Sequence, residues 1–433
     1  MLFKLSLQSI LYRRKQYLSL LLVCIFGTAV SLSTLFILNG MMSSLRNKAK
    51  IYYGGDYQFL SGKQFTQFQM QLMDTDADNT IEKLYTVFPK GSLITKRFDM
   101  DSDKAAFYYE GETIRQRVIK GIDFSKEAKL FDTLNFVEGS YKAMLETENG
   151  VLLSEPIAKN LDIHTGDTVV LSLKDINMNT DTIILEVKGI FRDSSLFGMY
   201  TSYMNLSTLQ TMFKIPESYG NRISITLPEG IKDSLAAQEY YQASLEQIFN
   251  MHPMVKDKHV FYDQIPQFEK LTSLLVPLDT NLLDLKIIIE AMRLITLCLI
   301  LSLAVIIIAG VSCTFRVIIM KRINEIGIYK AIGIHKSDIS KMMYYETMLI
   351  MAIGFIGGLV LCGFMCFVIS HIGLSFIPAF DVFLSRGCIV PQFSLFYTVV
   401  LFILLCACTV AAVYLAIKKP VQIMPCEALS VTE

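Results

Sequence analysis

The sequence contains no cysteine between Met41 and Glu290, although it has nine cysteines in all. A segment of about 250 residues without cysteine has no disulfide framework, and its length is sufficient for a hydrophobic core of its own. Seven of the nine cysteines lie in long apolar stretches instead. Pairs such as Cys362 and Cys366 have a metal-like spacing, but within an apolar helix we interpret them as small packing residues.

Motifs that carry catalysis are also absent from the sequence. The five histidines are scattered, with no His-Glu-x-x-His motif, no Cys-x-x-Cys pair and no Gly-x-Ser-x-Gly turn. A phosphate-binding loop would need two glycines and a Lys followed by Ser or Thr, and the nearest approach, residues 57–64, lacks the first glycine and the hydroxyl. We therefore expect no catalytic residue, no cofactor and no metal site, and no ATP hydrolysis by this chain alone.

The charge and hydropathy of the chain indicate a membrane rather than nucleic acid. Because 40 basic and 40 acidic residues give a net charge of zero, we expect no nucleic-acid partner. Hydrophobic residues make up 52% of the chain and the mean hydropathy is +0.43, which is too apolar for an ordinary soluble protein. Four apolar segments are each long enough to cross a hydrocarbon core of about 30 Å: residues 17–40, 291–319, 346–372 and 393–417. The sequence thus predicts a membrane protein with one transmembrane helix followed by three.

Basic residues beside these segments predict the orientation. Residues 1–16 carry four basic side chains and no acidic one, and residues 320–345 carry five basic side chains. Residues 373–392 carry only one of each sign. By the positive-inside rule, residues 1–16, 320–345 and the tail 418–433 are cytoplasmic, and residues 41–290 and 373–392 lie outside. Arg46, Lys48 and Lys50, just after the first segment, run against the rule, but they precede a long domain whose export depends little on charge.

The first apolar segment has two interpretations. A cleaved signal peptide is one, but the segment is longer than a usual signal core and no Ala-x-Ala-like site follows it. We therefore interpret it as an uncleaved anchor. Apolar residues at one helical face of residues 1–16 predict a cytoplasmic interfacial helix before it: Phe3, Leu7, Ile10 and Leu11.

Residues 41–290 predict a large mixed α/β domain, with one or two subdomains. Residues 167–173 and 182–187 are rich in β-branched residues and bounded by turn residues, which predicts strands. Residues 156–161 and 235–249 have helical patterns. Prolines predict a jointed stalk rather than an unbroken helix before the second apolar segment: Pro253, Pro266 and Pro277.

The polar interruption at residues 320–345 predicts one short amphipathic helix. Ile323, Ile326 and Ala331 recur near helical spacing, with charged residues between them. Gly333 is expected to end this helix, and Ser337 is expected to cap the next. An ordinary charged loop is the alternative interpretation of the pattern alone.

Three glycines in the third apolar segment predict close helix packing, since Gly354, Gly357 and Gly358 leave one helix face smooth. The alternative is that glycine is simply common in membrane helices. No apolar segment carries an ionisable pair at its middle, which argues against a proton-coupled carrier or an ion channel.

Together these features resemble the permease subunits of the type VII ABC superfamily, which includes FtsX, MacB and the lipoprotein-releasing permeases LolC and LolE. That family has one helix, a large extracytoplasmic domain and three helices, with a motif between the second and third helices that reads like Arg-x-x-Glu-Ile-Gly-x-x-(Lys/Arg)-Ala-x-Gly. This chain matches the motif at Arg322, Glu325, Ile326, Gly327, Lys330, Ala331 and Gly333, followed by Asp338, Ile339 and Glu346. Other segments that resemble the family are Gly54-Gly55-Asp56, Lys120 to Asp123, residues 151–167, Lys418-Lys419-Pro420 and Glu427-Ala428-Leu429.

The resemblance implies a membrane subunit that is not itself an enzyme. A dimer of a separate cytoplasmic ABC ATPase would hydrolyse ATP and push the helix at residues 322–333. Its expected contacts are Arg322, Glu325, Ile326, Gly327, Tyr329, Lys330, Ala331 and Gly333. A second copy of the chain or a paralogous permease would complete the complex among membrane lipids. The expected location is the bacterial inner membrane, with several passes and both termini cytoplasmic.

The resemblance leaves three outputs open. The chain is most similar to LolC and LolE, which implies lipoprotein release with lipoproteins as substrates. MacB-like export of peptides or drugs is an alternative, although MacB fuses its ATPase to the same chain. FtsX-like regulation of a cell-wall hydrolase is another, although such chains usually have a smaller outer domain. Candidate cargo contacts near the membrane are equally well explained by strand packing: Tyr52, Tyr53, Tyr57 and Phe59.

Overall fold

The structure is a computed structural model that describes residues 12, 14–64, 72–175, 177–193, 197–231, 234–374, 376–377 and 380–417. It divides into two compact units. The helical unit takes the described residues of Met1–Met41, Ile289–Ile372 and Ile389–Glu433, and the sheet unit takes those of Met42–Ile288 and Gly373–Cys388. The apolar face predicted for residues 1–16 and the whole tail 418–433 lie outside the described residues.

In chain order the helices of the described part are α1 (Arg14–Tyr53), α2 (Ala77–Val87), α3 (Phe124–Glu127), α4 (Glu155–Leu161), α5 (Leu206–Phe213), α6 (Leu235–Glu246), α7 (Lys258–Gln264), α8 (Leu278–Asn281), α9 (Lys286–Lys321), α10 (Ile323–Ala331), α11 (Lys336–Ser370) and α12 (Leu395–Ile417). The strands are β1 (Tyr57–Gly62), β2 (Leu93–Tyr109), β3 (Glu112–Ile122), β4 (Asn135–Gly139), β5 (Gly150–Ser154), β6 (Thr168–Lys174), β7 (Thr180–Arg192), β8 (Thr201–Asn205), β9 (Arg222–Thr226) and β10 (Thr272–Pro277).

The helical unit is built from four long apolar helices. Within the described residues, α1, α9, α11 and α12 are the four helices long and apolar enough to cross a membrane. One hydrophobic core joins them, with Leu32 of α1, Phe315 of α9, Met351 of α11 and Leu405 of α12 buried in it. Large apolar side chains such as Val360 stay exposed on the outside, as expected where the surrounding solvent is lipid. The predicted fold class, with one helix before a mixed α/β domain and three after it, is confirmed.

The sheet unit contains one continuous network of strand pairing. The path runs β10-β1-β9-β2-β3-β8-β5-β7-β4, and β6 pairs with both β2 and β7. Six strands, β2, β3, β8, β5, β7 and β6, therefore form a closed circuit of pairing. The long strand β2 belongs to this circuit and also pairs with β9, so it joins two hydrophobic cores. Of the two alternatives from the sequence, a single unit is the one that the strand pairing favours.

Several local predictions for the sheet unit are confirmed and one is not. The strands predicted at residues 167–173 and 182–187 are β6 and part of β7, and the predicted helices are α4 and α6. The predicted stalk is absent from the described residues around the three prolines. Pro277 is instead the last residue of β10, the strand at one end of the pairing path, and α9 runs unbroken from Lys286.

Candidate coupling site

The short helix α10 occupies the polar interruption between α9 and α11. It runs over Ile323–Ala331, and Gly333 follows with φ +92°. The N–H of Ile334 donates to the carbonyl oxygen of Tyr329 over 3.0 Å. A glycine with positive φ and a hydrogen bond back across the last turn is a common helix ending. The prediction that Gly333 ends this helix is therefore confirmed.

The expected cap of the following helix is wrong. α11 begins at Lys336, with His335 rather than Ser337 at the capping position, and no side-chain hydrogen bond caps it. The backbone N–H groups of Asp338 and Ile339 reach the carbonyl oxygen of His335 instead. Ser337 thus lies inside the first turn, where its hydroxyl is past the point at which capping occurs.

Arg322, the single residue between α9 and α10, is buried against two other helices. Its Nη1 donates to Glu346 Oε2 of α11 over 2.6 Å and to the hydroxyl of Tyr17 of α1 over 3.1 Å. The Tyr17 hydroxyl donates to the same Glu346 oxygen over 2.8 Å. All three side chains are at most 3% exposed. We call these three residues the Arg322 cluster. A guanidinium out of water requires such partners, because burying an unpaired charge is very costly.

Sequence reasoning placed the members of the Arg322 cluster separately. Tyr17 and Glu346 were the first residues of two predicted apolar segments, Arg322 was a predicted partner contact, and Arg322 and Glu346 both belonged to the family-like motif without being paired. The available signal was the glutamate, since a carboxylate that begins a membrane segment 24 residues after an arginine invites a search for a pair. The distance of Tyr17 in sequence explains why no local pattern could find it.

Two more residues of the predicted contact set face inward. Ile326 is 3% exposed and belongs to the core of the helical unit, and Gly327 is buried beside it. Like Arg322, these two residues are buried and are not accessible to a partner in this conformation. Their contact with an ATPase stays a prediction.

The remaining predicted contacts lie at the edge or on the surface. Glu325 is one-third exposed and accepts a hydrogen bond from Arg322 Nε over 3.2 Å. Tyr329 is partly buried against the helical core, and Ala331 and Gly333 are exposed. The side chain of Lys330 lies outside the described part of the structure. The structure therefore divides the predicted set into an inner and an outer face of α10.

Three exposed isoleucines that the sequence reasoning missed lie on α10 and in the turn that follows it. Ile328 is 47% exposed, Ile332 is 74% exposed and Ile334 is 40% exposed. We call them the isoleucine face. The spacing of residues 328 and 332 corresponds to one helical turn. The core-facing residues 323 and 326 show a similar apolar spacing, so the pattern alone does not separate the exposed isoleucines from the buried ones.

The three glycines of α11 lie against α1. A Cβ at Gly354 would be 2.5 Å from the Cβ of Cys24, and one at Gly358 would be 1.6 Å from the Oγ1 of Thr28. A Cβ at Gly357 would be 3.2 Å from Ile25. The first two distances are too short for any side chain, so the two helix backbones approach closely at these positions.

In the sheet unit, the end of α1 is fixed by a glycine pair and a buried arginine. Gly54 and Gly55 have φ values of +96° and +95°, and both N–H groups donate to the carbonyl oxygen of Lys50 over 2.8 Å. Arg97 of β2 is fully buried, binds the carboxylate of Glu127, and donates from Nη1 to the carbonyl oxygen of Ile51 over 2.7 Å. These contacts give a physical reason for Gly54 and Gly55 in the Gly-Gly-Asp segment noted in the sequence.

A second buried charged group lies beside the first. Lys120 Nζ donates to Asp99 Oδ2 over 2.6 Å, and Arg222 lies 3.3 Å from the same oxygen. Burial raises the pKa of Asp99, but attraction to Lys120, Arg222 and Arg97 outweighs it and holds that pKa below its usual 3.8. Burial lowers the pKa of Lys120 to about 8, with Asp99 opposing the fall. At Asp99, the attraction of three cations to one carboxylate therefore lowers the pKa of that carboxylate.

The described residues of Gly373–Cys388, between α11 and α12, are part of the sheet unit. Lys48 of α1 is 4% exposed, and its Nζ donates to the backbone carbonyl of Asp381 over 2.6 Å and lies 3.6 Å from Asp193. Arg386 Nε donates to the carbonyl oxygen of Asp132 over 2.9 Å. Lys48 is one of the basic residues that depart from the positive-inside rule, and its contacts make it a structural residue of this unit.

The proposed cargo aromatics are partly explained by the core. Tyr57 and Phe59 of β1 are each 1% exposed, so they are core residues and not surface contacts. Tyr52 and Tyr53 remain partly exposed at the end of α1. Lys120 Nζ lies 4.0 Å from the centre of the Tyr52 ring, within the range of a cation–π contact.

A groove of about 580 Å³ opens elsewhere on the sheet unit. Four carboxylates and one lysine line it, together with apolar residues such as Met144 and Leu145: Asp123, Glu146, Glu148, Glu217 and Lys96. An acyl chain would take these carboxylates out of water, so the groove suits a polar ligand better than a lipid.

The architecture and the buried cluster are those of a membrane protein with paired structural charges, and its described residues contain no cluster of His, Cys, Asp or Glu that could hold a metal ion. Comparison with family models agrees with this class. Residues 19–240 match the MacB-like periplasmic core domain, and residues 294–422 match the FtsX-like permease C-terminal family. The chain belongs to the FtsX/MacB-type permeases and is a membrane subunit of the type VII ABC transporter class. Comparison with curated proteins gives no match.

Proposed function

We propose that this chain couples ATP hydrolysis by a separate ATPase to movement of the sheet unit, with α10 as the ATPase docking helix. The observation that carries this proposal is the isoleucine face. Exposed isoleucines outside the lipid-facing segments cost free energy in water, and such a surface is typical of a protein contact. Among the predicted contacts, Ala331 and Gly333 are exposed, and Glu325 and Tyr329 are partly exposed.

The proposal places the chain in the bacterial inner membrane. Both termini and α10 lie on the cytoplasmic side, as the basic flanking residues indicate, and the sheet unit lies outside. α1 is shared by both units, since its residues up to Met41 belong to the helical unit and the rest to the sheet unit. A continuous helix of this kind is suited to transmit a displacement, because an α-helix resists changes in its length.

Lipoprotein release is the output that we propose first, on the resemblance of residues 151–167 and Lys120 to Asp123 to lipoprotein-releasing permeases. In the structure these residues build the domain, with Lys120 in a buried ion pair and Asp123 capping α3. MacB-like export and FtsX-like regulation are equally compatible with the fold. The polar groove favours a protein or peptide partner of the sheet unit over a bound acyl chain.

The test is purification of the tagged full-length chain in mild detergent, with mass spectrometry of every protein that accompanies it. We expect an ABC ATPase and acylated proteins. An ATPase with a cell-wall hydrolase, or with an outer-membrane channel, would replace the first output by one of the alternatives. Absence of any ATPase would contradict the proposed function.

A pair of variants tests the docking face directly. Ile332→Glu puts a carboxylate on the isoleucine face, whereas Leu235→Glu puts one at a site in the sheet unit that is 77% exposed. Neither substitution opens a cavity. We expect the first to reduce ATPase recovery at least about tenfold, since a desolvated charge costs more than 1.4 kcal/mol at an interface. The second should leave recovery unchanged, and equal recovery from both variants would contradict the docking assignment.

A further inference from the structure

We propose that Tyr17, Arg322 and Glu346 are positioning residues that hold the N-terminal end of α10 to α1 and α11, so that force on α10 reaches both helices. The transmission of force rests on the proposed function. The attachment that the Arg322 cluster makes, which we call the clamp, is a property of this chain alone. The distinguishing observation is that one hydroxyl, one guanidinium and one carboxylate from three segments meet within hydrogen-bond distance of one another.

The geometry makes the contact directional. Arg322 follows the last residue of α9 and precedes the first residue of α10, so its backbone is the joint between the two helices. The backbone N–H of Arg322 donates to the carbonyl oxygen of Ile319, and its own carbonyl accepts from Ile326. Its side chain then binds α1 and α11. A displacement of α10 therefore acts on the joint, and the joint is bonded to both other helices.

Stability alone is a poor explanation for such a cluster. Apolar residues of similar volume fill a buried site at least as well as an ion pair does, because both charges lose their hydration. Hydrogen bonds differ from apolar packing in that they fix orientation. An orientation that must be kept while α10 is pushed requires the bonds, whereas a static core does not.

The carboxylate also has an unused acceptor. Among the described residues, Glu346 Oε1 is buried and makes no hydrogen bond. Glu346 is therefore able to keep a bond to Arg322 if the two helices shift and the guanidinium turns to the second oxygen. This property suits a contact that persists through movement.

Beyond Tyr329, the described residues at the opposite end of α10 lie at the surface. Ala331, Ile332, Gly333 and Ile334 are all exposed, and Gly333 has a backbone conformation that other residues rarely adopt. The helix is thus fixed at its Arg322 end and presents its isoleucine face at the other. A lever requires this arrangement of one bound end and one loaded end.

The test uses Tyr17→Phe and Tyr345→Phe in the full-length chain, reconstituted in lipid nanodiscs. Each substitution removes one hydroxyl and keeps the ring. Tyr17 belongs to the clamp, while Tyr345 is the exposed neighbour of Glu346 on α11. Hydrogen exchange of the peptide that covers residues 323–332 is measured without any partner. We expect Tyr17→Phe to accelerate it by at least about fivefold, because the variant loses the two buried hydrogen bonds of the hydroxyl, and Tyr345→Phe to leave it unchanged.

The second readout is ATP hydrolysis by the ATPase recovered with the wild-type chain. Tyr17→Phe should retain the ATPase in the complex but reduce the stimulation of hydrolysis by the chain at least about fivefold. Glu346→Gln, which keeps the shape of the side chain and removes its charge, should reduce it further. A residue that only stabilises the fold would lower the yield of complex and leave stimulation per complex unchanged.

The outcomes separate the two proposals. If no ATPase accompanies the wild-type chain, the proposed function fails and the exchange measurement still decides on the clamp. If the ATPase is present but Tyr17→Phe changes neither exchange nor stimulation, the clamp is overturned and the proposed function stands. Faster exchange with full stimulation would also overturn the positioning role.

Discussion

Arg322 and Glu346 form a buried ion pair in which one guanidinium nitrogen lies 2.6 Å from one carboxylate oxygen. The pair joins the turn before α10 to the interior of α11, and both side chains are at most 4% exposed. The motif at residues 322–333 was predicted only as a surface for a partner, but in the structure it has two sides. One side is bound within the chain, and the other is presented outward.

The ion pair predicts a specific pattern of stability changes. Arg322→Met leaves Glu346 buried without its cation, and we expect a loss of about 3–5 kcal/mol in the free energy of unfolding. The double variant Arg322→Met with Glu346→Leu removes both charges and should recover most of that loss. Thermal unfolding in detergent, followed by circular dichroism, measures both. A double variant no more stable than the single one would contradict a paired burial.

The glycines of α11 predict a difference between two otherwise equal substitutions. Gly358→Ala places a Cβ within 2.9 Å of the carbonyl oxygen of Ile25, whereas Gly363→Ala meets nothing within 4 Å. We expect the first to cost about 1–3 kcal/mol through overpacking and the second to be neutral or slightly stabilising. The same unfolding measurement applies. Equal melting temperatures for the two variants would show that α1 and α11 do not pack closely at this level.

The glycine pair after α1 predicts a steric effect beyond backbone strain. Gly55 and Gly111 have similar φ values of +95° and +90°, but a Cβ at Gly55 would be 2.4 Å from the carbonyl oxygen of Ile225 and one at Gly111 meets nothing. Alanine at either site costs about 1–2 kcal/mol for the left-handed conformation. Only Gly55→Ala should also increase hydrogen exchange in β9, because the clash falls on that strand. Equal exchange in both variants would refute this assignment.

The buried charges of the sheet unit predict sensitivity to acid. The pKa of Asp99 is held below 3.8 in the folded chain, so the folded state binds fewer protons there than the unfolded state does. The resulting stability is present above pH 3.8 and is lost as the pH falls from that value through the lowered pKa. Urea unfolding at pH 5 and pH 3 should therefore show a smaller decrease for Asp99→Asn than for the wild type. An equal decrease would mean that other groups carry the acid response.

Some elements of the structure could be predicted from local pattern. The apolar segments predicted four membrane helices because a run of about 20 apolar residues has few other stable fates. Gly333 was correctly predicted to end α10, since positive φ is readily adopted only by glycine. The error at Ser337 has a related cause. Helix ends are set by neighbouring backbone bonds, and a serine at the second residue of a helix is indistinguishable by composition from one at the cap.

The candidate site was predicted only in part. The motif located α10, but it did not separate the inner residues Arg322 and Ile326 from the exposed Ile332. That separation depends on which face of a nine-residue helix meets the core, and the amphipathic pattern of so short a segment is ambiguous. Of the two interpretations of Tyr57 and Phe59, the structure supports strand packing, because both faces of β1 are buried.

The sequence by itself determined that the chain enters a membrane, that a domain without cysteine separates its first membrane helix from the rest, and that a short polar helix interrupts the last three. These properties follow from composition and short-range periodicity, which act along the chain. The tertiary structure decided that Tyr17 and Glu346 receive Arg322, residues separated from it by 305 and 24 positions. A buried charge selects its partners by distance in space, and only the packing of the helices brings those atoms together.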